Sequence, residues 1–162
     1  MSSDAIAVVH HDNLLGRTCN AAEIAPLLGK SSMLISDWTA EELGRLDFGG
    51  WFQAADPFKT IRNGQVMIEE FDKIVPQKLM SLGELLRWAK KSEIPLNIEL
   101  KDQLGGRHDG TIVDTVLHEI RAADYADKIL LSSFQHKYLA EIKAKIPEMV
   151  LGALQEDFHP DN

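Results

Sequence analysis

Short apolar segments alternate with amphipathic segments along the second half of the chain. Apolar, β-branched stretches predict strands over 94–100, 128–132 and 149–153. Apolar residues at helical spacing predict helices over 81–90, 111–123 and 136–146. Because parallel strands are normally joined by a helical crossover, this order predicts an α/β fold with a parallel sheet. The periodicity alone leaves open whether the sheet is open or closed into a barrel.

The first half of the chain is less regular. The apolar segment 5–10 predicts a buried strand that ends in two histidines and an aspartate. A capping box over 39–42, Thr-Ala-Glu-Glu, predicts the start of a short helix. Aromatic residues, glycines and prolines break the periodicity over 51–78, with a β-like segment at 65–68, and indicate an insertion or a long excursion.

Two consecutive histidines stand at the end of the first predicted strand. On a strand, His10 and His11 project to opposite faces, so both cannot serve one site. If the small apolar residues of this strand face a barrel lumen, His11 lies on the same side. An imidazole titrates near neutral pH, which suits proton transfer there. Asp12 either orients that imidazole or caps the turn after the strand.

The predicted strand over 94–100 has polar side chains on one face. Asn97, Glu99 and Lys101 alternate with apolar residues, although a helix-covered parallel strand is usually apolar on both faces. A carboxylate and an ammonium there need partners, a cavity or a metal ion. Two alternatives stay open. Glu99 and Lys101 form a structural ion pair or lie on an exposed edge strand, which is the commoner arrangement, or they mark a site at the mouth of a barrel.

The composition narrows the class of function. The chain of 162 residues has 17 basic and 25 acidic residues and a net charge of −8, without a basic block, which disfavours nucleic-acid binding. Cys19 is the one cysteine, so an internal disulfide is excluded. There is no apolar run of transmembrane length and no recognisable secretory leader, so we expect no transmembrane segment and a cytoplasmic location.

One segment resembles the signature of a known family. His11-Asp-Asn-Leu-Leu-Gly-Arg-Thr18 is similar, at every specified position, to the pattern His-Asp-x-x-Leu-x-Arg-Thr of glycerophosphodiester phosphodiesterases. Further segments resemble that family in the same order along the chain: Thr39 to Phe52, Leu79 to Leu82, Asn97 to Lys101, Ser132 to Phe134 and Gly152 to Leu154. Ordered motifs at family-like spacing are hard to obtain by chance, so the chain is identified as a member of this family.

The resemblance implies a fold and an activity. The family consists of TIM-type (β/α) barrels, so residues 1–162 are expected to form a single, incomplete barrel domain with a small insertion around 51–78. The implied activity is hydrolysis of glycerophosphodiesters to glycerol 3-phosphate and an alcohol, with a divalent cation, Mg²⁺ or Ca²⁺, as cofactor. The alternatives are a phosphodiesterase with a different substrate, or a catalytically incomplete remnant that serves as a binding or assembly module.

The resemblance also implies roles for particular residues. His11 is implied to be a catalytic histidine that gives a proton to the leaving alkoxide, and Glu99 to be a carboxylate ligand of the metal ion. Lys101 is implied to neutralise phosphate charge. Phe134 is implied to line the substrate pocket, although a phenylalanine at a strand end is more often part of a core. The aromatic pair at 51–52 is implied to frame the alcohol side of that pocket, with core packing again as the alternative.

The chain departs from the family pattern at both ends. The family's His-Arg-Gly strand, its Glu-x-Asp strand and its last strands have no counterpart in this sequence, so the resemblance covers about two thirds of a ~250-residue barrel. An open barrel exposes strand edges and apolar surface, which proteins hide by pairing or association. We therefore expect a homo-oligomer, with a small-molecule phosphodiester as its ligand.

Overall fold

The computed structural model of the chain describes residues 1–71, 73, 76–103 and 105–156. These residues form helices and parallel strands, as the sequence predicts, and they divide into two compact units, Met1–Met80 and Ser81–Asn162. The single-domain organisation implied by the resemblance stays a prediction. Within the described ranges, none of the helices is long and apolar enough to cross a lipid bilayer.

Short helices joined by turns build the first unit. Its helices are α1 (Ala21–Ile24), α2 (Ala40–Leu43), α3 (Gly50–Ala55) and α4 (Ile68–Phe71), with 3₁₀ turns at Pro26–Leu28 and Ile35–Asp37. Helices this short gain little from their own hydrogen bonds, so tertiary packing has to stabilise them. A buried cluster supplies that packing: Leu15, Cys19, Ala21, Ala25, Ile35, Trp38, Leu43 and Leu46.

Hydrogen bonds fix the largest side chain of this cluster and the helix that follows it. Trp38 is fully buried, and its indole N–H donates to the Ser32 carbonyl at 2.8 Å. Thr39 then caps α2: its hydroxyl accepts from the Glu42 N–H at 3.1 Å, and the Glu42 carboxylate accepts from the Thr39 N–H at 2.8 Å. The capping box predicted from the sequence is therefore confirmed.

The predicted strand over 5–10 is wrong, because the chain turns at Ala5. Ala5 has a φ of 65°, in the left-handed region. Ser2 closes this turn, since its N–H donates to the Ile6 carbonyl at 2.9 Å and its hydroxyl accepts from the Ile6 N–H at 2.9 Å. Beyond the turn, Val8 is a single bridge residue and not part of a strand. Local bonds thus satisfy backbone groups that strand pairing would otherwise satisfy.

The region predicted to be an insertion is partly helical. α3 ends at Asp56, which takes the left-handed conformation at φ 39°. The Asp56 carboxylate accepts from the backbone N–H groups of Ile61 and Arg62 at 3.1 and 3.0 Å, which organises the following turn. The β-like interpretation of 65–68 is wrong, since this segment is a turn that leads into α4. Residues 72, 74 and 75 of the predicted insertion lie outside the described residues.

The second unit is a parallel sheet with helical crossovers. Its strands are β1 (Leu96–Glu99), β2 (Ile129–Ser133) and β3 (Val150–Ala153), in the spatial order β1-β2-β3. Its helices are α5 (Leu82–Ser92), α6 (Ile112–Ala123) and α7 (His136–Lys145), with a 3₁₀ turn at Ala126–Lys128. Each of these strands and α-helices was predicted, because its hydrophobic period matches the face that it buries.

The register of the sheet separates an apolar face from a polar one. Glu99 pairs with Ser132, and Ser132 pairs with Gly152, so these three residues share one face. Ile98 pairs with Leu131 on the other face, where Leu131 is fully buried. Helix α7 packs against β2 and β3. The polar face is the one on which the sequence places its candidate site residues.

The first helix of the second unit begins with a second capping box. The Ser81 hydroxyl accepts from the Glu84 N–H at 3.2 Å, and the Glu84 carboxylate accepts from the Ser81 N–H at 2.7 Å. Gly83 follows in α5, where an added Cβ would lie 2.6 Å from Glu119 Oε2 of α6. The missing side chain therefore allows α5 and α6 to approach closely.

Candidate functional site

A tight turn between residues 10 and 18 gathers polar side chains in the first unit. Asp12 Oδ1 accepts from His11 Nδ1 at 2.7 Å, while Arg17 donates from Nε to Oδ2 at 2.7 Å and from Nη2 to Oδ1 at 3.0 Å. The Arg17 guanidinium, and after it His11, hold the pKa of Asp12 well below its usual range. An ionised carboxylate only accepts, so His11 carries its proton on Nδ1. Nε2 is then the ring atom of His11 that can exchange a proton.

The two histidines of this turn have different environments. The His11 side chain is 75 % exposed, so a ligand can reach it. The His10 ring is partly buried: Nδ1 lies 2.8 Å from the Asp12 carbonyl and Nε2 lies 3.1 Å from the Thr18 hydroxyl. Its edge packs on Phe48 at 5.6 Å between ring centroids. His10 therefore holds the turn together, and His11 is the histidine that is open to chemistry.

Both histidines line one cleft, which corrects the prediction that they face opposite sides. That prediction assumed a strand, and the described backbone is not a strand at this point. The cleft has a volume of about 350 Å³ and lies within the first unit. Beside the histidines its wall is largely apolar: Val9, Phe48, Leu79 and Met80. Lys78 also lines it, but its ammonium already donates to the Gly44 carbonyl at 2.7 Å.

In the second unit, the structure brings two predicted site residues together. Lys101 Nζ lies 2.9 Å from Glu99 Oε2, and the two side chains are 28 % and 26 % exposed. On the same face, the Ser132 hydroxyl donates to Asn97 Oδ1 at 2.8 Å. The ion pair that the sequence left as one alternative is thus present. Water reaches both of its partners, so the pair is not sealed in a core and a ligand can reach it too.

Phe134 lies directly after β2 and is half exposed. The turn that carries it is fixed by Ser133, whose hydroxyl donates to the Leu100 carbonyl at 2.7 Å and accepts from the Gln135 N–H at 2.9 Å. A phenylalanine that packs only in a core is buried. Plain core packing therefore does not account for Phe134, and its role in lining a substrate pocket stays a prediction.

The aromatic pair at 51–52 stands at the start of α3. The rings of Trp51 and Phe52 meet edge to face at 5.6 Å between centroids, and the Trp51 indole N–H donates to the Phe48 carbonyl at 3.1 Å. Both side chains are half-buried. Their partners lie within the first unit, so packing accounts for the pair, and a role in framing the alcohol side of a pocket stays a prediction.

The predicted site residues lie in different units. His11 belongs to the first unit, whereas the other three belong to the second. Glu99 ends β1, Lys101 stands two residues after it, and Phe134 follows β2. That His11 and Glu99 share one cavity stays a prediction. The sequence reasoning missed Arg17 as the partner of Asp12. The available signal was a pair of opposite charges in a turn that contains Gly16, whose φ of 118° suits glycine.

A divalent metal ion fits the residues of this chain only in part. Mg²⁺ and Ca²⁺ take six or more oxygen ligands, usually with several carboxylates. Among the described residues, no group of three or more histidine, cysteine, aspartate or glutamate side chains is placed to hold a metal ion. Glu99 can supply one carboxylate, so the described part of the chain does not by itself complete a metal site.

Comparison with known proteins places this geometry in a family. The glycerophosphoryl diester phosphodiesterase family model matches residues 1–161. The mouse glycerophosphodiester phosphodiesterase domain-containing protein 5 is 32% identical over 102 residues, which is 63% of this chain and 16% of that protein. The glycerophosphodiester phosphodiesterase of Bacillus altitudinis is 29% identical over 157 residues, which is 97% of this chain and 52% of that protein.

Solved structures share the fold of this chain. A phosphodiesterase from Oleispira antarctica, in complex with the product sn-glycerol-3-phosphate, has a TM-score of 0.68 at 25% identity over 94% of this chain and 50% of that one. A glycerophosphodiester phosphodiesterase from Agrobacterium tumefaciens has a TM-score of 0.62 at 21% identity over 93% of this chain and 49% of that one. The chain thus spans about half the length of its bacterial relatives.

The fold of these neighbours is the TIM-type barrel, which confirms the predicted fold class. In the described part of this chain the sheet has the three strands β1, β2 and β3 and is not closed, so the barrel is incomplete, as predicted. The family match extends over nearly the whole sequence. The chain therefore belongs to the glycerophosphoryl diester phosphodiesterase family.

Proposed function

We propose that this chain acts in the metal-dependent hydrolysis of glycerophosphodiesters to glycerol 3-phosphate and an alcohol. The observation that carries the proposal is the exposed imidazole of His11, oriented by an ionised Asp12, in a chain of this family. The Oleispira antarctica relative, which has sn-glycerol-3-phosphate bound as product, supports the choice of substrate class.

His11 is proposed to be the general acid that protonates the leaving alkoxide. Its Nδ1–H is held by the Asp12 carboxylate at 2.7 Å, which fixes the orientation of the ring. Once protonated, Nε2 can give its proton to the alcohol oxygen as the phosphorus–oxygen bond to the alcohol breaks and the oxygen of water takes its place on phosphorus. A positioned acid of this kind contributes a factor of ~10²–10⁴ to the rate.

Lys101 is proposed to contact the phosphate of the substrate, next to Glu99, and Phe134 is proposed to line the substrate pocket. The Lys101 ammonium lies beside Glu99 and has donors left for a phosphate oxygen, since an ammonium carries three N–H groups. Phe134 offers a half-exposed ring at the same edge of the sheet, where the carboxyl ends of β1 and β2 lie. In parallel α/β sheets, ligands bind at the carboxyl ends of the strands.

A divalent cation would supply the electrophilic part of the chemistry. A bound Mg²⁺ or Ca²⁺ would polarise the phosphoryl group, with Glu99 as one of its ligands. The described residues supply no group of three or more possible ligands for such an ion.

The lack of a group of metal ligands among the described residues favours a second candidate function. A chain that keeps the phosphate end of the site but not a full set of metal ligands would bind glycerophosphodiesters or glycerol 3-phosphate without turnover. It would then serve as a binding or assembly module. A third candidate keeps the chemistry and changes the substrate, because pocket loops rather than catalytic motifs decide substrate choice.

Release of glycerol 3-phosphate separates these candidates. The full chain is incubated with glycerophosphocholine and Mg²⁺ or Ca²⁺, and the product is measured with a coupled dehydrogenase assay. We expect release that EDTA abolishes, that His11→Ala lowers by ~10²–10⁴ and that Glu99→Ala abolishes. His136→Ala removes an exposed histidine outside the proposed site and is the matched control.

Three results contradict the proposal in different ways. Binding of glycerol 3-phosphate without release of product from any glycerophosphodiester identifies the chain as a binding module. Turnover that His11→Ala and His136→Ala reduce equally removes His11 from the catalytic role. Turnover of other phosphodiesters, but not of glycerophosphocholine, assigns a different substrate.

We further propose that the chain is cytoplasmic and associates with itself. The free thiol of Cys19 is buried, which fits a reducing compartment. β1 and β3 are the outer strands of the described sheet, and Val150 of β3 is 59% exposed. Exposed strand edges promote pairing between chains. Light scattering at increasing concentration should give a mass above 18.1 kDa, and a constant monomer mass would contradict self-association.

A further inference from the structure

A buried tyrosine of the second unit makes two polar contacts that its packing does not require. Tyr138 of α7 is fully buried, yet its hydroxyl accepts from the Gln103 N–H at 3.1 Å and donates to Asp109 Oδ1 at 3.0 Å. Burial raises the pKa of Tyr138 to about 12, so the hydroxyl keeps its proton at physiological pH and can donate.

The two partners of the hydroxyl lie in the segment that joins β1 to α6. Gln103 stands two residues after Lys101, and Asp109 stands close to the start of α6 at Ile112. The Gln103 side-chain amide also donates to the Asp102 carbonyl at 3.0 Å, which tightens the first turn of the segment. Tyr138 therefore ties both ends of this connection to α7.

The position of Gln103 matters because of what precedes it. Lys101 stands two residues after the end of β1, and its ammonium lies 2.9 Å from Glu99. Lysine has a long, flexible side chain that adopts many rotamers. A backbone that is held at Gln103, two residues after Lys101, limits the positions of the Lys101 Cα and so favours the pairing of its ammonium with Glu99.

We propose that Tyr138 is a positioning residue for the phosphate end of the site. Its hydroxyl holds the β1–α6 connection, and this keeps the Lys101 ammonium beside Glu99. The inference rests on the proposed function, in which Lys101 and Glu99 meet the substrate, but the anchoring of the connection can be tested separately.

The chain offers a matched control in its other buried tyrosine. Tyr125 is also buried, and its hydroxyl donates to the carbonyls of Ala89 and Ile94 at 3.2 and 3.0 Å. These partners lie at the end of α5 and before β1, at the opposite end of that strand. Tyr125→Phe therefore removes a buried hydroxyl of the same kind without touching the β1–α6 connection.

The test compares Tyr138→Phe with Tyr125→Phe in the full chain. Amide hydrogen exchange is measured over 101–111, and the affinity for glycerol 3-phosphate is measured by isothermal titration calorimetry. We expect Tyr138→Phe to speed amide exchange over 101–111. We also expect it to lower the affinity for glycerol 3-phosphate on the order of tenfold, because small displacements of a binding group reduce binding and rate steeply. Tyr125→Phe should leave both quantities at the wild-type value.

A double variant distinguishes positioning from a general loss of stability. If Tyr138 acts through Lys101, then adding Tyr138→Phe to Lys101→Gln does not lower the affinity for glycerol 3-phosphate any further. Equal effects of Tyr138→Phe with and without Lys101→Gln would overturn the inference. Unchanged exchange over 101–111 in Tyr138→Phe would overturn it as well.

The proposed function fails by a different result. If Lys101→Gln leaves the affinity for glycerol 3-phosphate unchanged, or the wild-type chain does not bind it, the phosphate site is assigned wrongly. In that case faster exchange over 101–111 in Tyr138→Phe, and not in Tyr125→Phe, still supports the anchoring of the connection, whereas equal exchange in the two variants overturns it.

Discussion

Arg17 holds the Asp12 carboxylate with two N–H groups, at 2.7 and 3.0 Å. Such a two-pronged contact orients a carboxylate as well as neutralising it. The oxygen that Arg17 Nη2 reaches also accepts from His11 Nδ1. The arginine therefore determines the direction of the histidine through the aspartate between them, and each of these three residues belongs to the signature that identified the family.

Replacement of Asp12 by asparagine tests whether the ionised carboxylate fixes the tautomer of His11. In Asp12→Asn the amide keeps the shape of the carboxylate but can present either its oxygen or its NH₂ group to His11, so the ring tautomer is no longer fixed. We expect kcat for release of glycerol 3-phosphate to fall by ~10²–10⁴. The matched control is Asp127→Asn, which changes an exposed aspartate in the 3₁₀ turn before β2. Equal rates for the two variants would show that Asp12 does not act through His11.

Arg17 should set the pH range over which Asp12 stays ionised. Because Arg17 lowers the pKa of Asp12, the ionised contact persists as the pH falls and is lost only on passing through that lowered pKa. In Arg17→Gln the pKa should rise towards the ordinary aspartate value of ~3.9. Carboxyl-carbon NMR titration of Asp12 measures the change directly. Arg45→Gln, which removes an exposed partner of Glu41, should leave the Asp12 midpoint where it is.

The free energy of unfolding that is lost when either partner is replaced shows whether the Glu99–Lys101 pair mainly stabilises the fold. The side chains are 26 % and 28 % exposed, and ion pairs that water reaches contribute ~0–1 kcal/mol. We therefore expect Glu99→Gln and Lys101→Gln each to change the free energy of unfolding in urea by less than ~1 kcal/mol. A loss of ~3 kcal/mol or more in either variant would identify a pair that mainly stabilises the fold.

The cap of α5 gives a stability prediction that is independent of function. Ser81→Ala removes the hydroxyl that accepts from the Glu84 N–H, and should lower the free energy of unfolding by ~1 kcal/mol. Hydrogen bonds from the Ser81 N–H and from its hydroxyl lower the pKa of Glu84. The stability that these two bonds contribute is complete above the ordinary glutamate value of ~4.3 and is lost as the pH falls below it.

Urea denaturation at pH 7 and at pH 3 checks the cap of α5. Ser92→Ala, at the exposed end of the same helix, is the matched control and should change little at either pH. The Ser81 hydroxyl also donates to the Glu84 carboxylate at 2.8 Å, and a difference between Ser81→Ala and wild type that stays the same at both pH values would contradict a contribution of that bond to the cap.

The two units differ in how far the sequence predicts them. In the second unit, the apolar residues of α5 and α6 recur at the helical period, and each helix buries that face. Local pattern and tertiary environment agree there, so the elements were predicted. In the first unit, segment 5–10 has the composition of a strand but turns at Ala5, because Ser2 bonds to Ile6. Propensity is a weak guide where a short local contact can satisfy the backbone instead.

The sequence by itself determined the family and the chemical groups of the candidate site, since His11, Asp12 and Glu99 stand in ordered motifs along the chain. Tertiary structure decided how those groups are used. Only the folded turn shows that Arg17 donates hydrogen bonds to the Asp12 carboxylate, and only packing brings the Tyr138 hydroxyl to the Gln103 N–H. The sequence states which side chains are present and in what order. Hydrogen bonds act over about 3 Å in space, and the folded path of the chain sets those distances.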